Sequence, residues 1–105
     1  MSSERRRAPR YHLVADAEIV SPLFPGFLKA RTSDVSLAGC FMNTTYSLPL
    51  GTEIQLQVKY EGTILIASGA VARSEPSMGF GFSFGSMKGA QQILLQKWLE
   101  ELPVR

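Results

Sequence analysis

The sequence has little of the chemistry that enzymes and metal sites use. Its 105 residues contain one cysteine, one histidine and one tryptophan. A single cysteine excludes an intramolecular disulfide and a cysteine-rich metal site. A catalytic Ser/His or Cys/His arrangement would depend on His12, with no recognisable oxyanion hole or orienting acid. Zinc, calcium and Walker spacings are missing as well. We therefore expect no enzyme activity, no metal and no cofactor.

Long hydrophobic runs are also missing. No run approaches the ~20 apolar residues that a membrane-spanning helix needs, and the polar first residues lack the apolar region of a signal peptide. The hydrophobic fraction of 45% is ordinary for a globular protein, and the length fits one domain. These features predict a cytoplasmic protein without a membrane span.

Charge is scarce overall but concentrated at one end. The formal net charge is +2, yet four arginines and one acid, Glu4, occupy the first ten residues. Pro9 biases the residue before it toward extended structure. Residues 1–10 are therefore predicted to form a basic arm that binds an anion and becomes ordered by it, while residues 11–105 form the folded body.

A second polar stretch, Asp34-Val35-Ser36-Leu37-Ala38-Gly39, follows a predicted strand. A carboxylate and a hydroxyl two residues apart lie on the same side of an extended chain. The glycine allows a turn or a close approach of the backbone to a ligand. Arginine forks suit phosphate oxygens and the guanine O6/N7 edge, and a carboxylate suits the guanine N1 and N2 hydrogens. Together the two stretches favour a guanine nucleotide with exposed phosphates.

The two stretches also resemble the paired signature of PilZ domains, bacterial receptors for cyclic di-GMP. The signature consists of Arg6-x-x-x-Arg10 and Asp34-x-Ser36-x-x-Gly39. The resemblance extends to residues 69–71 and 78–82, which are similar to the last barrel strands of the family, and so covers nearly the whole chain. It implies a single-domain PilZ receptor that changes its surface on nucleotide binding and signals to a protein partner.

The resemblance also implies roles for individual residues. Arg6 and Arg10 would hold phosphates and guanine faces or edges. Asp34 and Ser36 would hydrogen-bond the second guanine, and Gly39 would permit close backbone approach.

Further arginines extend the implied site. Arg5 offers an additional charge, while Arg7 and Arg73 are weaker candidates. Four arginines in the arm exceed the charge of one dianionic ligand, which favours cyclic di-GMP bound as a stacked pair.

Two other functions fit the same arm. The first is a nucleic-acid-binding small barrel, which the weak overall charge, the few exposed aromatics and the carboxylate of Asp34 oppose. The second is an interaction module that has the PilZ fold but does not bind the nucleotide, which the intact motif opposes.

Alternating apolar and polar residues predict six short strands. They are placed at residues 11–20, 27–36, 39–44, 53–60, 63–73 and 78–84. Six strands with regular turns indicate a small antiparallel β-barrel. This barrel is also the fold that the resemblance implies.

One amphipathic helix is predicted at about 87–102, ended by Pro103. Its apolar arc is expected to pack on the barrel and consists of Ala90, Leu94, Leu95, Trp98, Leu99 and Leu102. Ile93 lies among the polar positions and is expected to be exposed. Cys40 is predicted to be a small core residue, and the three phenylalanines of the last strand to share one buried face.

Overall fold

The computed structural model describes residues 8–103. It contains seven strands and one helix among these residues. The strands are β1 (Tyr11–His12), β2 (Asp16–Val20), β3 (Leu28–Val35), β4 (Gly39–Asn43), β5 (Glu53–Tyr60), β6 (Thr63–Glu75) and β7 (Gly79–Phe84), and the helix is α1 (Gly89–Glu100).

Six of the strands form a closed antiparallel barrel. They follow the order β3-β2-β5-β6-β7-β4, and β3 pairs with β4 to close the ring. Closure removes the unpaired edges of an open sheet. The predicted six-stranded barrel with a C-terminal helix is therefore confirmed.

The alternation in the sequence explains why the strands face as they do. In β5, Ile54, Leu56 and Val58 are at most 4% exposed, whereas Glu53 and Lys59 point outward. Strand β5 turns directly into β6 through Glu61 and Gly62, both with positive φ, as a tight two-residue hairpin requires.

The first predicted strand, 11–20, is interrupted in the structure. Strands β1 and β2 lie end to end along the same edge of β3. Between them three residues, 13–15, oppose two on β3, which is a bulge. The buried hydroxyl of Thr32 donates to the Leu13 carbonyl and accepts the Ala15 N–H at 3.0 Å. The Thr32 side chain thus bridges the bulge, while the Leu13 N–H to Ser33 carbonyl and Thr32 N–H to Ala15 carbonyl bonds continue the backbone pairing. The sequence pattern did not show this break.

Helix α1 covers one side of β6. Leu95, Trp98 and Leu99 are buried, and the indole of Trp98 donates to the Thr63 hydroxyl at 3.0 Å. The predicted packing face is confirmed except at Ala90, which is exposed in the first turn of the helix.

Two smaller predictions about the helix and core are also decided by the structure. Ile93 is 66% exposed, as predicted. Phe80 and Phe82 lie in the core, with Phe84 half-buried against it. Within residues 8–103 no helix combines the length and apolar content needed to cross a membrane.

Candidate functional site

The end of the basic arm is held against the second polar stretch. The Arg10 guanidinium donates to the Asp34 carboxylate across 24 residues of sequence. The next two residues form β1, where His12 pairs with Asp34 in register. The structure therefore brings together one arginine and the carboxylate that the sequence singled out. Arg5, Arg6 and Arg7 lie outside the described residues.

Asp34 and Arg10 differ in exposure. The Asp34 side chain is 13% exposed and that of Arg10 is 49% exposed. A charge-assisted hydrogen bond to a largely buried carboxylate is stronger than an exposed ion pair. Arg10 is thus a half-exposed cation whose guanidinium is held in position by the more buried carboxylate of Asp34.

Arg10 and Arg73 lie on one depression in the outer face of the barrel, with a volume of about 210 Å³. Its walls include the turn at Ser36–Gly39 and the outward face of β7. Arg73 is held by two contacts. Its Nε lies 3.0 Å from a Glu75 carboxylate oxygen, and its guanidinium lies 5.5 Å from the centre of the Phe41 ring.

Phe41 is a part of this site that the sequence analysis missed. It is 7% exposed but does not belong to the barrel core, and on β4 it pairs with Asp34 on one side and Gly81 on the other. An aromatic face attracts a guanidinium. The signal in the sequence was the odd position of Phe41 between the core residues Cys40 and Met42.

Ser36 shapes the turn that borders the depression. It is 2% exposed, and its hydroxyl oxygen accepts the N–H groups of Ala38 and Gly39 at 3.1 and 3.2 Å. The Ser36 N–H donates to the Gly39 carbonyl at 2.7 Å. A nucleotide contact by Ser36 stays a prediction. In this conformation its hydroxyl is engaged in holding the turn.

Gly39 allows the backbone to approach a neighbour closely, and in the structure that neighbour is strand β7. A Cβ at this position would lie 2.0 Å from the Phe82 carbonyl oxygen. The glycine therefore allows β4 and β7 to pair where the turn meets the barrel. A close approach of a ligand to Gly39 stays a prediction.

Cys40 lines the same depression but is buried, as predicted. Burial raises the pKa of its thiol from 9.0 to about 12, and the Asp34 charge adds to the rise while Arg10 opposes it. A protonated thiol is a poor nucleophile, so this cysteine is suited to packing. Within residues 8–103 no cluster of three potential metal ligands occurs.

The raised pKa of Cys40 gives two measurable expectations. Ellman's reagent at pH 8 should label Cys40 slowly in the native protein and rapidly in urea. Because the unfolded thiol ionises first, the free energy of unfolding should fall above about pH 9, by roughly 1.4 kcal/mol per pH unit. Cys40→Ala should lack this part of the alkaline slope. Rapid labelling of the native protein would contradict the burial.

The structure is a small closed barrel that carries Arg10 and Arg73 on one depression of its outer face. The chain belongs to the PilZ domain family, whose model matches residues 4–101. PilZ domains are cyclic di-GMP-binding modules. No curated protein matches the chain.

Solved structures share this fold. The PilZ domain of YcgR from Escherichia coli, in a structure with c-di-GMP, is 16% identical with a TM-score of 0.76, over 93% of this chain and 91% of that one. The PilZ domain of CeSA from a cellulose-synthesizing bacterium is 15% identical with a TM-score of 0.69, over 87% and 94%.

A third structure is similar over a part of its length. The Bacillus subtilis inhibitor of motility, MotI/DgrA, is 15% identical with a TM-score of 0.68, over 92% of this chain and 52% of that one. At these identities the similarity of all three structures concerns the fold.

Proposed function

We propose that this protein is a bacterial cytoplasmic receptor for cyclic di-GMP. The observation that carries the proposal is the contact of Arg10 with Asp34, because it joins the two halves of the PilZ signature beside one depression. The family supplies the ligand class. The carboxylate of Asp34 beside Arg10 would repel a phosphate backbone, which argues against nucleic acid as the ligand.

The proposed roles follow the positions of the residues. Arg10, together with Arg6 of the arm, binds phosphate and guanine. Asp34 accepts hydrogen bonds from guanine N1 and N2. Ser36 and Gly39 hold the turn in the shape that receives the ligand.

Arg73 completes the basic side of the proposed site. Its guanidinium is already positioned by Glu75 and Phe41, so little conformational entropy is lost when it contacts a ligand. An exposed, pre-positioned arginine on the same depression as Arg10 suits a second phosphate.

Ordering of the arm, residues 1–10, is the proposed signal. A dianionic ligand draws the arginines of this arm over the barrel, and the resulting surface is recognised by a protein partner. The ordering costs conformational entropy, which charge-assisted contacts offset. The docked position of Arg10 reduces this cost, since the last residue of the arm is already held before the ligand arrives.

Titration calorimetry with three ligands tests the proposal. We expect cyclic di-GMP to bind, and GMP and single-stranded RNA to bind far more weakly. Arg5 and Arg7 in addition to Arg6 and Arg10 provide charge for a stacked pair, so we expect two cyclic di-GMP molecules per domain.

Each other outcome of the titration has a definite meaning. Tighter binding of RNA would identify a nucleic-acid-binding barrel, and no binding of any ligand would identify an interaction module. A one-to-one endpoint with cyclic di-GMP would remove the stacked pair and leave Arg5 outside the site.

A further inference from the structure

The turn at Ser36–Gly39 borders the proposed nucleotide site on one side, and Leu37 lies on its other side. Leu37 and Ala38 form the tip of the turn between β3 and β4. Ser36, Ala38 and Gly39 line the depression that contains Arg10. Leu37 instead lines a separate cleft of about 260 Å³ together with Leu95 of helix α1.

The cleft joins the turn to the helix. Its remaining walls are Phe84 at the end of β7, Gly85 and Met87 in the connection to the helix, and the polar helix residues Gln92 and Gln96. Leu37 is 53% exposed. A single exposed leucine is ordinary, but this one lines the same cleft as Leu95, a helix residue that is 2% exposed and belongs to the core.

A backbone hydrogen bond makes a second connection between the turn and the helix. The N–H of Phe84 donates to the carbonyl of Ala38 at 2.9 Å. Phe84 ends β7, and after the four residues 85–88 the chain enters α1 at Gly89. A displacement of the turn therefore acts on the helix both through the Leu37 side chain and through the strand that leads into it.

Helix α1 is held to the barrel by few polar contacts. Gln91 accepts the Ile66 N–H at 2.8 Å, and Trp98 donates to Thr63 at 3.0 Å. No side chain caps its N-terminus, although capping is a common stabilising feature there. Gln91 ties the first turn of the helix to β6, whereas Gln92 and Gln96 line the cleft, so the cleft side of the helix depends on its packing.

We propose that Leu37 is a positioning residue that couples the nucleotide site to helix α1. The inference rests on the proposed function. A ligand that fixes the Ser36–Gly39 turn holds Leu37 in the cleft and stabilises the docked helix. By thermodynamic linkage the docked helix raises the affinity for the nucleotide to the same degree. The exposed side of α1 is then a surface whose order reports nucleotide binding.

Leu37→Ala tests the coupling through affinity. The substitution removes the side chain from the cleft and leaves every residue on the Arg10 side unchanged. Since coupling between sites is typically 5-fold or more, we expect the affinity for cyclic di-GMP to fall by about fivefold or more. Leu50→Ala is the matched control, because Leu50 is 67% exposed and lies in a turn outside this cleft. The Leu50→Ala variant should bind cyclic di-GMP with the affinity of the wild type.

A spectroscopic readout separates coupling from simple loss of structure. Trp98 is the one tryptophan of the chain and lies on α1. Saturating cyclic di-GMP should change its fluorescence in the wild type and in Leu50→Ala. In Leu37→Ala the change should be lost although calorimetry shows saturation. Met87→Ala, on another wall of the cleft, should reproduce this result and replaces Leu37→Ala if that variant does not fold.

Amide hydrogen exchange without ligand keeps this test independent of the proposed function. Amides of α1 should exchange faster in Leu37→Ala than in the wild type, and at the wild-type rate in Leu50→Ala. If the wild type fails to bind cyclic di-GMP, the proposed function is wrong, and the exchange rates still decide the coupling. Wild-type affinity together with wild-type helix exchange in Leu37→Ala would overturn the inference.

Discussion

Arg10→Ala is expected to lower the affinity for cyclic di-GMP by about 30-fold or more while leaving the barrel folded. Removing one partner of a desolvated charge pair costs roughly 2–5 kcal/mol, and ~1.4 kcal/mol corresponds to a factor of ten. The substitution removes the cation that we propose binds phosphate, and it also removes the Arg10 contact of Asp34, whose side chain is 13% exposed. Calorimetry measures the affinity, and thermal unfolding reports the fold.

Arg31→Ala is the matched control for this experiment. Arg31 is also an exposed arginine in an ion pair with an aspartate, with its Nε 3.2 Å from Asp16. It lies on a different part of the barrel surface, beside Lys29 and Lys59. Equal losses of affinity in the two variants would show that general positive charge binds the ligand. Unchanged affinity in Arg10→Ala would remove Arg10 from the site.

Asp34→Ala distinguishes a ligand contact from a support for Arg10. If Asp34 accepts guanine hydrogens, its loss should weaken cyclic di-GMP binding and strengthen nonspecific anion binding, because Arg10 is released from its carboxylate. A loss of both kinds of binding would give Asp34 a structural role. The residues are in contact, so their effects are not expected to add.

The sequence predicted the barrel because its strands are half-buried. In β5 and β7 every second side chain enters the core, and such alternation is visible without a structure. It did not predict the break at residues 13–15. The bulge is bridged by the hydroxyl of Thr32, on a strand 17 residues further along the chain. A hydrogen bond from a single side chain leaves no periodic signal.

The candidate site was predictable in part for a similar reason. Arg10 and Asp34 carry opposite charges, which in the sequence already indicate that each needs an ionic partner, and in the structure they form an ion pair. Leu37 and Phe41 have no such charge. Their proposed roles depend on their neighbours in the fold, because Leu37 shares a cleft with Leu95 of the helix and Phe41 lies under the guanidinium of Arg73 on β6. Both arrangements bring together residues that are far apart in sequence, which neither composition nor spacing specifies.

Gly39 shows how one residue can satisfy a motif for two different physical reasons. The motif suggested that its missing side chain makes room for a ligand. In the structure the room is filled by β7, since a Cβ would lie 2.0 Å from the carbonyl oxygen and 3.1 Å from the carbonyl carbon of Phe82. Both are backbone atoms, which cannot move aside as a flexible side chain does. The Gly39–Ser83 pairing would have to separate.

Gly39→Ala is therefore expected to destabilise the barrel by more than about 4 kcal/mol, a large effect for one methyl group. The separation would disturb the seam between β4 and β7 and also the turn held by Ser36, whose hydroxyl accepts the Gly39 N–H. Urea unfolding followed by Trp98 fluorescence measures the loss. Because small domains are usually stable by only about 5–15 kcal/mol, a loss of this size should move the urea midpoint far toward zero denaturant.

Gly89→Ala is the control for this substitution. A Cβ at Gly89 meets no atom within 4 Å, and the residue begins helix α1. Alanine there should be neutral or stabilising by up to ~1 kcal/mol, since it lowers the entropy of the unfolded chain. If Gly39→Ala instead folds with wild-type stability and loses cyclic di-GMP binding, the glycine serves the ligand. Its close contact with Phe82 would then be one that the strands can relax.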